Sequence, residues 1–236
     1  MWSRAGESKK ERSDLASRQP KLEEEYLAEW LDDVAHDVRQ RKERIGEIAS
    51  PSGCAYSPME DDAIAKCLAT FALYDSSSAV VTQRRCSATI RSEAKHDAAT
   101  RLLLRRTDAE FRADPLDVIV YMLDLDSRNF QAESAANHDL VRFEVLEKVN
   151  THHSVVFARY KARGISDRTF VNSIVAKQLA DDPPSYAVAV MPIARHDKID
   201  EKDEVGAVRA ENQRSFLLTE VAPGVTKLQA RDVLLA

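Results

Sequence analysis

The stretch "SDRTFVNSIVAKQL", residues 166–179, joins a turn-like Ser-Asp-Arg directly to a long apolar run. The run is too apolar for a surface loop, and its neighbours are too rich in β-forming residues for an isolated helix. With the two-residue period of a strand, its apolar residues divide into two sets: Phe170, Ile174 and Ala176 on one face, and Val171, Val175 and Leu179 on the other. We therefore predict a strand with apolar side chains on both faces.

Further strands are predicted on both sides of this stretch. Residues 141–149 and 156–160 alternate apolar and charged side chains, which is typical of half-buried strands. After it come "SYAVAVMPIA", "GAVRAENQRSFLLTEV" and "TKLQARDVLL", separated by short connections, and Thr100–Phe111 is another candidate before it. Short connections between consecutive strands favour an antiparallel meander, which we expect over about residues 100–235.

Two helices have capping signals in the sequence. Ser57 is a suitable N-cap, Pro58 suits the first helical position, and Glu60 completes a capping box, so a helix over 58–73 is predicted. Asp114 caps a second helix that continues to about Leu125 and is apolar on nearly all sides. This second helix is therefore expected to be deeply buried.

The N-terminal part of the chain has a different character. Residues 1–20 are polar and charged, and we predict that they are disordered. Residues 21–50 form an amphipathic, coiled-coil-like helix in our interpretation, because apolar residues recur at spacings of three and four, interrupted by Arg41. The stripe fits either a coiled-coil partner or a helix that lies on its own or a neighbouring domain.

Composition restricts the class of protein. The net charge of −5 argues against a nucleic-acid partner, because proteins that bind nucleic acids usually contain a basic domain. The three cysteines have no metal-site spacing and suggest reduced thiols, the N-terminus has no apolar signal sequence, and no apolar run is long enough to span a membrane. We therefore expect a cytoplasmic protein.

The sequence contains no pattern of an assembled catalytic, metal or cofactor site. The six glycines lie too far apart for a phosphate-binding loop. His152 and His153 are adjacent on an expected strand edge, where their side chains would point to opposite faces and could not bind one metal together. We accordingly predict no catalytic residues, no metal site and no cofactor.

Five segments, taken in chain order, resemble motifs of one known family. They are "RADPLDVIVYMLDLDSR" (112–128), "FEVLEKVNTHHSVVFARYKA" (143–162), "SDRTF" (166–170), "YAVAVMPIARHD" (186–197) and "VRAENQRSFLLTEVAPGVTKL" (208–228). Their order and spacing resemble START domains, the lipid-transfer family related to the steroidogenic acute regulatory protein. The resemblance covers more than half of the chain.

The resemblance implies an α+β helix-grip fold. A curved antiparallel β-sheet with packed helices would occupy residues 57–236, preceded by the N-terminal helical segment. It implies a lipid-binding or lipid-transfer module that encloses one apolar ligand, a sterol, a phospholipid or another lipid, and performs no covalent chemistry. It also implies transient membrane contact. The expected lining residues are Phe143, Val145, Val156, Phe170, Ile174, Val188, Val190, Val208 and Ala210.

The chain departs from the family pattern at several positions. Arg168 lies where the family has an arginine that ties the strand end to nearby backbone or carboxylates, but Thr169 replaces the aspartate that follows it. Ile174 replaces the cavity arginine of some sterol-binding members, and the position of its acidic partner falls near Val155, so sterol specificity cannot be transferred. The sequence stops at Ala236 where the family continues into a long C-terminal helix, which suggests a fragment or a substitute supplied by another segment or chain.

Two other functions compete with lipid binding. In the first, the sheet is a lipid-free scaffold, and the N-terminal helix binds a protein partner. In the second, the chain is an enzyme of the wider helix-grip superfamily, such as a cyclase or hydrolase. The sequence shows no acid–base pair on the inward strand faces, which disfavours the enzyme.

Overall fold

The structure is a computed structural model that describes residues 55–86, 90–97, 102–125, 127–162, 164–200 and 202–235, together with Arg39 and Glu43. The chain divides into two units, Met1–Glu43 and Arg44–Ala236, and the elements below belong to the second. Arg39 and Glu43 are helical and exposed. The rest of the predicted segments 1–20 and 21–50 lies outside the described residues.

A ten-stranded sheet forms the framework of the domain. Its strands are β1 (Val80–Cys86), β2 (Ile90–Asp97), β3 (Leu102–Phe111), β4 (Leu140–Asn150), β5 (His153–Tyr160), β6 (Asp167–Asp181), β7 (Pro184–Pro192), β8 (Ala207–Arg209), β9 (Asn212–Ala222) and β10 (Val225–Leu235). The order across the sheet is β1-β2-β3-β10-β9-β7-β6-β5-β4, with antiparallel pairing along this path. The predicted antiparallel sheet is confirmed.

Two strands depart from the predicted meander. β3 pairs with β10 and not with the next strand along the chain, β4, which lies at an edge of the sheet, and the other departure is the short strand β8. It pairs in parallel with the start of β6, where Thr169 lies opposite Arg209. The sequence "GAVRAENQRSFLLTEV" had been expected to form one continuous strand. Instead, the chain leaves β8 after Arg209, the Ala210 amide donates to the Thr169 carbonyl at 2.8 Å, and β9 begins at Asn212.

Helix α1 (Pro58–Ser76) packs on one face of the sheet. The predicted capping box begins it: the Glu60 amide donates to Ser57 Oγ at 3.3 Å, and the Ser57 amide donates to Glu60 Oε2 at 2.7 Å. Its apolar side chains contact residues of β6 and β7 whose side chains define what we call the α1 face. The contacting residues are Ala63, Ile64 and Cys67 on the helix, and Val175, Ala187, Ala189 and Met191 on the strands.

The opposite face of the sheet is covered in part by α2 (Pro115–Leu123), and we call it the α2 face. Asp114 caps this helix, because its Oδ1 atom accepts from the Leu116 amide at 2.8 Å. Ile119, Val120 and Leu123 are buried against the sheet, whereas Tyr121 on the far side is exposed. The helix is therefore buried along one side only, and it ends two residues earlier than predicted.

A third helix, α3 (Arg128–Ala136), was not predicted from the sequence. Among its described side chains, Phe130 packs on the sheet, and the centroid of its ring lies 4.7 Å from that of Phe143 on β4. The contact places α3 on the α2 face, beside the edge strand β4. Among the described residues, no helix is both long and apolar enough to cross a membrane.

The stretch 166–179 forms most of β6, which begins at Asp167 and lies between β5 and β7. Ile174 and Ala176 belong to the core on the α2 face, while Val175 belongs to the core under α1. The two-residue period had predicted this division. Arg168 Nη1 donates to the Ser166 carbonyl at 2.7 Å, so the arginine ties the strand end to nearby backbone, as the resemblance implied.

Candidate functional site

The α2 face has a continuous apolar centre. Its buried strand residues come from β5, β6, β7 and β9, and they pack against α2 and Leu125. They are Val156, Ile174, Ala176, Tyr186, Val188 and Leu218. Phe143, Val145, Val190 and Phe216 are only partly buried at its border. The centre of the face is therefore filled by protein, and its border presents partly exposed apolar surface.

The structure brings most of the predicted lining residues to this one face. Val156, Ile174 and Val188 lie in the buried centre, and Phe143, Val145 and Val190 pack against it. Phe170 lies on the same strand face two positions from Asn172, half-buried, with its ring 6.0 Å from that of Tyr160.

The two remaining lining residues lie apart from this group. Val208, in the short strand β8, is 48% exposed. Ala210 is half-buried between β8 and β9. Neither residue belongs to the core on the α2 face. The position near Val155, expected opposite Ile174, faces the other side of the sheet, because Ser154 is the cross-strand neighbour of Ile174.

A groove of about 760 Å³ follows the edge strand β4. Leu125 and Phe130 line one side of it, and Phe143 and Val145 line the strand side. Lys198 also lines the groove, and its Nζ atom donates to the Leu146 carbonyl. Two of the predicted lining residues thus border open space large enough for a small ligand.

Charged side chains continue the α2 face on the strands beyond Val190. Val190 pairs with Arg214, Arg214 with Asp232, and Asp232 with Arg105, on β7, β9, β10 and β3. Directly paired residues of antiparallel strands point to the same face, so the four side chains form one cross-strand row. Burial raises the pKa of Asp232 despite the two arginines, which both act to lower it.

Two buried amides lie in the neighbouring part of the same face. Asn172 Nδ2 donates to Asn212 Oδ1 at 3.3 Å. Asn172 is 9% exposed, and its Oδ1 atom has no hydrogen-bond partner in the described part of the chain. An acceptor buried without a partner costs about 1–3 kcal/mol, so a bound molecule or water that donates to Asn172 would be favoured here.

The α1 face contains a different polar cluster, around Glu60. Glu60 Oε1 lies 2.8 Å from Nδ1 of His153 and accepts from Asn150 Nδ2 at 2.8 Å. His153 Nε2 lies 2.8 Å from Ser173 Oγ. Burial pushes the pKa of Glu60 upward, but hydrogen bonds from Ser57, Asn150 and His153 outweigh it and hold the pKa at about 2. The cluster therefore contains a carboxylate at neutral pH.

His152 joins this cluster, contrary to the expectation that the two histidines diverge. Its Nε2 atom lies 3.6 Å from Glu60 Oε1, and its ring packs against that of Tyr56 with the centroids 4.2 Å apart and the planes tilted by 39°. His152 lies in the turn before β5, so strand alternation does not apply to it. Burial lowers the pKa of His152, which keeps the ring neutral.

The hydrogen-bonded chain Glu60, His153, Ser173 resembles a catalytic triad, in which a serine nucleophile contacts a histidine base that a carboxylate orients. The surroundings of Ser173 leave no room for a substrate. Ser173 is 8% exposed, and its cross-strand neighbours are Val155 and Met191, both buried. Burial raises the pKa of the Cys67 thiol to about 11, so this buried cysteine is protonated. Within the described ranges, no group of three or more histidine, cysteine, aspartate or glutamate residues is arranged to hold a metal.

Sequence reasoning missed Arg214, Asp232 and Asn172. The signal was present in part, because Arg214 interrupts the alternating series that continues with Phe216 and Leu218. What the sequence alone lacks is the register that brings Arg214 and Asp232 beside Arg105.

Solved structures with the same architecture are known. Human StAR-related lipid transfer protein 5 matches with a TM-score of 0.57 at 13% identity, covering 77% of this chain and 85% of that chain. A STAR-related lipid transfer protein from Xanthomonas axonopodis matches with a TM-score of 0.53 at 13% identity, covering 68% and 83%. The lipid transfer and protein localization domain of human StarD13 gives 0.50 at 15% identity, covering 77% and 85%.

No family model matches the sequence, and no curated protein matches it either. At 12–15% identity to the START structures, the likeness concerns the fold. The chain has the START-like helix-grip fold: a large antiparallel sheet with a few packed helices, as the five sequence motifs had predicted.

Proposed function

We propose that residues 57–236 form a module that binds one lipid, a sterol, a phospholipid or another apolar ligand, without changing it covalently. The observation that carries the proposal is the border of the α2 face, where Phe143, Phe170, Val190 and Phe216 are only partly buried. Covering such apolar surface gains about 25 cal/mol per Å², so a lipid needs no catalytic group to be retained.

Seven of the nine lining residues named from the sequence share the α2 face and remain the proposed contact set, which Phe216 extends, whereas Val208 and Ala210 lie apart from it. Apolar walls with a few polar groups are the usual composition of a small-molecule site. On the α2 face, Asn172 and Arg214 add such polar groups. The likeness to lipid-transfer structures supports the general class, and transient membrane contact and a cytoplasmic location belong to the same proposal.

Native mass spectrometry of the purified chain tests the proposal. A retained lipid, released by denaturation and identified by its mass, is the expected result. If the purified protein contains no lipid, titration with a fluorescent lipid is expected to show saturable binding of one lipid per chain. Absence of both would contradict the function.

A matched pair of substitutions localises the ligand. Phe170→Asp places a carboxylate on the proposed contact surface and is expected to weaken binding of the fluorescent lipid at least about tenfold, because a buried charge without a partner is costly. Ile165→Asp changes an apolar residue in the turn before β6, where 62% of Ile165 is exposed, and is expected to leave binding unchanged. Equal loss in both variants would place the ligand elsewhere.

A further inference from the structure

The cross-strand row on the α2 face changes character along its length. Ile174 and Val190 are apolar, whereas Arg214, Asp232 and Arg105 follow them on the next three strands. An apolar surface that continues into charged groups fits an amphipathic molecule, with its chain on one side and its polar end on the other.

The row contains two positively charged side chains and one negatively charged side chain. Arg105 and Arg214 are exposed, and Asp232 between them is half-buried. Within the described residues, neither arginine makes a hydrogen bond, and neither lies within ion-pair distance of a carboxylate. Two guanidinium groups face one carboxylate, so one positive charge and most of the arginine donors are available to a further acid.

We infer that the lipid bound here carries an acidic head group, a carboxylate or a phosphate, which Arg214 and Arg105 bind while its chain contacts Val190 and Phe216. This inference rests on the proposed function. Arginine is suited to the role, because its planar fork of donors matches the oxygens of carboxylates and phosphates. Asn172 lies on the same face, and its unpartnered Oδ1 atom is an acceptor for a hydroxyl of the bound lipid.

Asp232 makes the inference more specific. Its carboxylate lies between Arg214 and Arg105 in the cross-strand row, so it competes with the head group for both arginines and repels the negative charge of the head group. Removing its charge should therefore strengthen the binding of an acidic lipid. A purely structural role for Asp232 predicts the opposite or no change, so the direction of the effect separates the two explanations.

The experiment compares three lipids with the same sixteen-carbon chain: palmitate, hexadecyl phosphate and hexadecanol. Each competes with a neutral fluorescent lipid for the native chain and for its variants. We expect the two acids to bind at least about tenfold more tightly than the alcohol, a preference that added salt reduces. Arg214→Gln and Arg105→Gln should each lower the preference, Arg214→Lys should retain most of it, and Asp232→Asn should raise it.

Arg91→Gln is the matched control. Arg91 lies on β2 and contacts Glu93 at 3.3 Å on the α1 side of the sheet, so the variant removes the same charge from the other face. It should leave the preference unchanged. Thermal unfolding of each variant verifies that it is folded, as expected for exposed arginines.

The possible failures are distinguishable. Equal binding of all three lipids to the native chain overturns the acidic head group and leaves the lipid-binding function standing. If none of the three competes while the fluorescent lipid still binds saturably, the acidic head group is also overturned and the function stands; only the absence of a retained lipid together with the absence of saturable binding of the fluorescent lipid contradicts the function itself. Inorganic phosphate that competes as strongly as hexadecyl phosphate would show an ion site without a lipid, which also overturns the inference.

Discussion

The two faces of the central strand β6 differ in how their polar side chains are satisfied. Ser173 points to the α1 face, where its Oγ atom lies 2.8 Å from His153 Nε2 in a chain of hydrogen bonds that ends at Glu60. Asn172, one residue earlier, points to the α2 face, and its Oδ1 atom has no described partner. The first arrangement stabilises the attachment of α1 to the sheet, and the second leaves polar capacity for a ligand.

Polarity alone does not mark a binding site in this domain. The Glu60 cluster contains more chemistry than the α2 face, and in the described part of the chain the ring nitrogens of His152 also lack a hydrogen-bond partner there, yet the cluster is buried and covered by α1. The α2 face has fewer groups, but Asn172 and the arginines point to partly exposed apolar surface. Unsatisfied hydrogen-bonding capacity next to apolar surface is therefore the better guide to the site in this fold.

Glu60→Ala is expected to have the largest effect on stability. It removes the acceptor of Ser57, Asn150 and His153 in one step. Buried groups left without partners should lower the free energy of unfolding by about 3–5 kcal/mol, measured by urea denaturation. The control Glu110→Ala changes an exposed residue of β3 and should have almost no effect. A loss below about 1 kcal/mol in Glu60→Ala would show that the cluster does not hold α1.

Acid should destabilise the domain through the same cluster. Glu60 has a pKa of about 2 when folded and 4.5 as its ordinary value, so the unfolded chain takes up this proton first as the pH falls. Its contribution, on the order of 3 kcal/mol, is present above about pH 4.5 and is lost as the pH falls towards 2. His152, whose pKa is lowered by burial, adds a loss that begins below about pH 6.5, where the unfolded histidine binds a proton.

Urea denaturation at a series of pH values measures this dependence. Glu60→Gln, which cannot ionise at that position, should have a flatter profile between pH 4.5 and 2 than the native chain. Identical slopes in this interval would mean that other carboxylates cause the acid loss.

The smallest effects on the free energy of unfolding are expected from substitutions of Asn172 and Ser173, which are adjacent on β6. The two effects should differ in sign or size. Ser173→Ala leaves His153 Nε2 without its partner and should cost about 1–2 kcal/mol. Asn172→Leu removes an acceptor that has no described partner, but it also removes the donor to Asn212 Oδ1 at 3.3 Å. Because the gain and the loss oppose each other, it should be within about 1 kcal/mol of neutral. Chemical denaturation of both variants tests the contrast. If Asn172→Leu costs more than Ser173→Ala, the two faces are not distinguished as proposed.

Local signals made much of the fold predictable. The two-residue period assigned Ile174 and Ala176 to one core and Val175 to the other, and the Ser57–Glu60 box marked the start of α1. Each of these features depends on residues a few positions apart. The five family motifs added the overall architecture, which periodicity alone would not have supplied.

Features that depend on register could not be predicted in the same way. The row of Arg214, Asp232 and Arg105 exists because β9, β10 and β3 align at those positions. His152 was misassigned because alternation was extended into a turn. Helix α3 has Phe130 as its described apolar contact, so its segment carries little of the periodicity that identifies a helix.

The packing of α1 on strands that are distant in sequence also determines when the helix can dock during synthesis. Its contacts join residues 116 positions apart in the Asp61–Lys177 pair and 149 positions apart between Cys67 and Phe216. At roughly 5–20 residues per second, the ribosome needs about 6–30 s to make the chain between them. For that interval, Ile64 and Cys67 have no sheet to cover them. During synthesis the apolar side of this helix is therefore a surface that chaperones can bind, and its docking is a late step of folding.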